Sequence, residues 1–282
     1  MLKVLQHLMD AVDLSVYSYI KPGALHRYSL HDQDLHRYVK TITTSLSTYI
    51  QAVNLGESIA KGLLGIPSAN LGKLISQAIS TSFSKLTSNA VVELHLMLIP
   101  TTIAVSHTLT SERTMNLNTF RKTLTSMITY SDVKDALEVY SALKKLDRYE
   151  HFMIELGISE GVIRTNSMNL RNIYLALSKK VIPLSTLVDK LDVIIGMVGK
   201  FIRTYDETYN YNLATVASYL YGLEALYGIS FKSEILKERN IVNELYRLDR
   251  ELRGKGYNFN EFIPTLCVST LLSLSSLDVI HS

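Results

Sequence analysis

From Leu94 to Ser111 the chain runs without a single Asp, Glu, Lys or Arg. A segment of that kind either crosses a membrane or is enclosed on all sides by other elements. Spanning takes about 20 predominantly apolar residues. This run sits at the short limit and carries His95, Pro100, His107 and several Thr, which a bilayer disfavours, so a buried helix is the expectation. Two further uncharged runs, Thr41 to Gly56 and Phe262 to Leu277, ask for the same enclosure, as the centre of a large α domain supplies it. Apolar residues recur at three- and four-residue steps almost throughout, with 47% hydrophobic content, 13 Gly and only 5 Pro. That pattern argues for helices rather than strands. The expected fold is all-α: one large multi-helix domain over residues 1–282, with buried central helices and no repeat, linker or low-complexity stretch dividing it.

Charge excludes some partners. The formal net charge of +3 comes from 29 basic and 26 acidic side chains. The basic ones are scattered, whereas a duplex binder clusters them along one face. No nucleic-acid partner is expected, and a small phosphorylated ligand would need far fewer cations. Cys267 is the only cysteine, so neither an intrachain disulfide nor a Cys-based zinc site can be drawn. Its apolar neighbours Leu266 and Val268 suggest a small core residue. The N-terminus lacks an export-signal pattern. A cytoplasmic protein with no membrane partner is the expectation.

Local signals divide the chain. A first helix is expected over Leu2–Ser18, ended by Pro22-Gly23, and a second from about Asp34 to Val53. A third covers Leu71–Leu86, followed after Asn89 by the uncharged helix, which Pro100 should kink or divide. Ser131-Asp132 caps Val133–Leu146. Loops or short helices fill Asp147–Asn169, where Gly157 and Gly161 interrupt the period. From Leu184 to Ile202 a strong apolar face over five turns predicts one helix. Gly228 suits a helix end, and Ser233 the start of a helix over Glu234–Arg253. The tyrosines at 205, 209, 211, 219, 221 and 227 read chiefly as core packing.

The chemistry-bearing stretch is Lys21-Pro22-Gly23-Ala24-Leu25-His26-Arg27, followed by Asp32 and Asp34. A fixed-φ residue and a permissive one after a helix can turn backbone N–H groups and a lysine toward one anion. The same tripeptide also makes an ordinary turn with a solvated lysine.

With its neighbours, this stretch resembles the triphosphoribosyl-dephospho-CoA synthase family, in which Lys-Pro-Gly follows the first helix and leads into a His/Arg- and Asp-containing loop. Lys21-Pro22-Gly23, His26-Arg27 and Asp32 carry that resemblance. Asn89 and Pro100 stand where archaeal-type members have an Asn and a Pro around an uncharged helix. Leu71–Ile75 and Asp135–Tyr140 resemble the flanking helices. The departures fall on the expected acids and glycines. Ser15 replaces a first-helix Glu, Ala90 and Glu93 replace the Thr and Gly of the Asn motif, and a Gly-Gly pair is missing at Asp147-Arg148. Leu266 stands where a C-terminal Asp is expected.

The resemblance implies transfer of a triphosphoribosyl group from ATP to dephospho-CoA or a related phosphorylated acceptor, with Mg²⁺ on the triphosphate. Lys21, Gly23, His26, Arg27 and Asn89 would then bind nucleotide and phosphate. Asp32 would serve as base or metal ligand, and Glu93 is a further candidate for the metal. The missing acids equally imply a non-catalytic paralogue that binds a ligand or a partner subunit, as a homodimer or with a related chain.

Overall fold

The computed structural model describes residues 2–29, 32–231, 235–237 and 240–280. Among them the structure is helical throughout: fifteen α-helices, five 3-10 turns and no strand. The helices are α1 (Leu2–Tyr17), α2 (Asp32–Thr44), α3 (Leu46–Ala60), α4 (Leu71–Leu86), α5 (Val92–Glu112), α6 (Leu117–Thr129), α7 (Val133–Leu143), α8 (Asp147–Glu155), α9 (Glu160–Thr165), α10 (Leu170–Leu177), α11 (Ser185–Val188), α12 (Leu191–Thr208), α13 (Tyr211–Tyr227), α14 (Ile241–Gly254) and α15 (Ile263–Ile280). The chain folds into two compact units. One combines the chain start through Gln6 with Lys40–Leu191, and the other combines His7–Val39 with the chain from Asp192 onward.

In the first unit α5 is the buried centre, packed by α3, α4 and α6. It is the one helix among the described residues long and apolar enough to cross a membrane, and most of its length is enclosed by protein. Close approach to it needs a missing side chain: a Cβ on Gly56 of α3 would lie 2.4 Å from the Ile103 carbonyl.

Helix α5 is not divided at Pro100. Proline has no N–H, so the carbonyl four residues back loses its helical donor. That carbonyl is Leu96, and the buried Tyr174 hydroxyl of α10 donates to it at 2.6 Å. The orphan acceptor is satisfied from a neighbouring helix, and the helix continues. His95, one residue earlier, is the hydrogen-bonded core histidine its apolar setting suggests. Its Nδ1 pairs with the Tyr49 hydroxyl at 3.0 Å and its Nε2 with Ser82 at 2.9 Å. Burial pushes its pKa down to about 3.

Two predicted helices are each broken in two. The helix expected over 34–53 stops at Thr44 and restarts at Leu46, because the buried Ser45 hydroxyl turns to donate to the Ala78 carbonyl at 2.9 Å. The continuous helix expected over 184–202 is a 3-10 turn, then α11, then α12. At the break the N–H groups of Asp189 and Lys190 both return to the Ser185 carbonyl. Periodicity records which residues are buried, and burial of Leu187, Leu191 and Ile194 continues across this turn. Helix α14 begins at Ile241 rather than at Glu234. Ser233, the expected start, lies outside the described residues.

In the second unit α13 and α15 pack together around Tyr219, Leu223, Phe262 and Leu266. Gly228 ends α13 at φ +67°, with its N–H on the Glu224 carbonyl, as its sequence position suggests.

Candidate functional site

The loop between α1 and α2 lies wholly in the second unit. The Ala24 N–H returns to the Lys21 carbonyl at 2.9 Å. Gly23 at φ +77° is the residue such a turn needs at its third position. A Cβ there would also meet the Phe259 ring at 2.7 Å.

Lys21 is neither an anion clamp nor a solvated turn residue. It is fully buried, and its Nζ donates to the Val16 carbonyl at 3.1 Å and to the Ser18 hydroxyl at 3.2 Å. Burial pushes its pKa down to about 7. Cys267, also buried, is itself pushed up to about 12 by desolvation, with the Ser15 hydroxyl hydrogen-bonded to it. Ser15 donates onward to Thr270 at 3.3 Å. Ser15 is therefore part of a neutral hydroxyl and thiol cluster. No acidic side chain among the described residues bonds to the lysine to keep it charged.

The rest of the loop converges on Asp249 of α14. Its carboxylate accepts the Gly23 N–H at 2.8 Å and the Arg253 Nε at 2.9 Å, and lies 3.7 Å from His26 Nε2. The Tyr28 N–H donates to His26 Nδ1 at 3.2 Å, which leaves the ring proton on the nitrogen facing the acid. Burial alone would raise the Asp249 pKa, but His26, the Gly23 N–H and Arg253 together hold it below the usual carboxylate range. Arg253 also reaches the Ala24 carbonyl at 2.6 Å. The Asn260 side chain accepts the Leu25 N–H at 2.8 Å, and the Tyr219 hydroxyl donates to the Pro22 carbonyl at 2.7 Å. The loop does hold an anion, through the Gly23 N–H, and that anion is the protein's own aspartate.

Arg27 is exposed, with its Nε on the Tyr17 carbonyl at 2.6 Å and its guanidinium over Tyr19. Asp32 opens α2, but its side chain lies outside the described residues, as does all of His31. Asn89 and Glu93 belong to the first unit. Asn89 ends an exposed 3-10 turn. Glu93 is buried and accepts from Arg148 at 3.1 Å, so this buried acid is stabilised by ion pairing. Among the described residues no group of His, Cys, Asp and Glu side chains is arranged to hold a metal ion.

His7 carries a serine and an acid on its two nitrogens, Ser275 at 3.2 Å and Asp278 at 2.5 Å. The serine is buried on the wall of α15, where no substrate carbonyl could approach it.

Sequence reasoning missed Asp249 and Arg253. The signal was present: an acid and a base four residues apart, with the acid between the buried Leu245 and Leu252 on the apolar side of α14.

No protein-family model and no curated protein matches the sequence. Among solved structures, the fold is shared with a crystal structure of an Archaeoglobus fulgidus protein assigned as a triphosphoribosyl-dephospho-CoA synthase. The likeness has a TM-score of 0.55 and 15% identity, over 86% of this chain and 98% of that one. The chain is an all-helical protein with that fold.

Proposed function

We propose that this chain is a non-catalytic protein on the triphosphoribosyl-dephospho-CoA synthase fold, acting as a ligand-binding or partner subunit. One observation carries the proposal: the Asp249 carboxylate already engages the Gly23 N–H, His26 and Arg253. A triphosphate would have to displace a buried carboxylate held by those groups, and the Lys21 amine is enclosed behind the turn. The setting is taken to be cytoplasmic, and the partner a second copy or a related chain.

A transferase acting on ATP and dephospho-CoA with Mg²⁺ is the second reading, favoured by the fold likeness over most of the chain. Incubation with ATP, Mg²⁺ and dephospho-CoA, with adenine followed by chromatography, separates the two. The expected result is no adenine above a protein-free control and no calorimetric heat from ATP and Mg²⁺. Stoichiometric adenine release, abolished by Asp32→Asn, would establish the transferase instead.

A further inference from the structure

A second feature of the same unit stands apart from the loop. Helices α12 and α13, with Phe231, Ile235 and Leu236, line an open cavity of about 560 Å³, within the size range of small-molecule sites. Two glycines of α12 stand on its lining. At Gly199 a Cβ would meet nothing within 4 Å, and at Gly196 the Tyr221 ring lies where a Cβ would go. Leu220, Phe231 and Leu236 supply the apolar part of a mixed lining.

Two cations line the same cavity. Lys200 and Arg203 are three residues apart on α12 and so share a face. Neither has a hydrogen bond or ion pair among the described residues, and Glu224, the one acid among the described residues of the lining, bonds to neither. Two cations against that one acid, beside apolar side chains, match a ligand with an acidic head and an apolar body, since each part meets its complement. Such a ligand is held more tightly than either half alone, because the head fixes the orientation in which the body is buried.

We propose that this cavity binds an amphiphilic organic anion, a carboxylate or phosphate monoester with an apolar body, with Lys200 and Arg203 on the head group. The site is independent of the Asp249 cluster and holds whether or not the chain catalyses a reaction.

Decanoate and decyl phosphate, titrated calorimetrically into the full chain below their micelle-forming concentrations, test it directly and distinguish the two head groups. Saturable 1:1 binding of at least one is expected. Affinity should fall at least tenfold in the Lys200→Ala, Arg203→Ala double variant. Gly199→Leu, which adds a side chain where nothing stands, should block the cavity while leaving the helical circular dichroism and melting unchanged. Three results would each overturn the assignment: no saturable binding, affinity unaltered in both variants, or equal affinity for decyltrimethylammonium.

Discussion

The Gly23 N–H donates to the Asp249 carboxylate at 2.8 Å across more than two hundred residues of sequence. That bond joins the turn after α1 to α14 and ties the loop into a network that includes His26 and Arg253. Asp249→Ala should lower the unfolding free energy by roughly 1.5–3 kcal/mol, the scale of losing hydrogen bonds to a charged group, measured by urea denaturation. Because the native Asp249 pKa is depressed, its contribution is present above the ordinary aspartate value. It is lost as pH falls through the lower native value. The wild type should show this acid-side loss and the variant should lack it.

Removing the aspartate should open a site for an external anion. Inorganic phosphate is expected to raise the melting temperature of Asp249→Gly, because the Gly23 N–H and the guanidinium of Arg253 would then lack their acceptor. Phosphate should leave the wild type unchanged. A wild type stabilised as much as the variant would mean that the loop accepts anions despite Asp249.

Lys21 gives a base-side signature. Its native pKa of about 7 lies below its ordinary 10.5, so between those values the unfolded chain binds more protons and stability rises with pH. From pH 7 to about 9.5 the gain is on the order of 3 kcal/mol. Lys21→Met should flatten that slope and be more stable than wild type at pH 7, since no charge is then enclosed. A slope that survives the substitution would show that another group titrates there.

Tyr174 and Pro100 should be coupled. Tyr174→Phe leaves the Leu96 carbonyl without its donor and should cost roughly 1–3 kcal/mol. Pro100→Ala restores the helical N–H to the same carbonyl, so in that background the loss should shrink to a small fraction. A double-mutant cycle in denaturant reads the difference. Additive effects would mean that the tyrosine stabilises α5 by packing alone.

Much of the architecture is legible in the residues. Helix α4 spans Leu71–Leu86 as its spacing predicts, Asp132 caps α7 through the Asp135 N–H, and Gly228 closes α13. These are local facts: a cap, a positive φ and an apolar stripe each act within a few residues. Pro100 does not divide α5, the second of the two outcomes its sequence offered, because the remedy comes from Tyr174, distant in sequence. The unbroken helix expected across Asp189 failed because periodicity marks buried positions without showing whether the backbone between them turns.

The loop at Lys21 shows the division most sharply. Its sequence determined the turn itself, since only a glycine sits easily at φ +77° after a proline. Which acceptor meets the Gly23 N–H was decided by the packing of α14, which brings Asp249 to the turn from the far end of the chain. Whether Lys21 is charged was likewise decided by enclosure, because the free energy of an ammonium depends on the water and counter-ions left around it, and folding removes both.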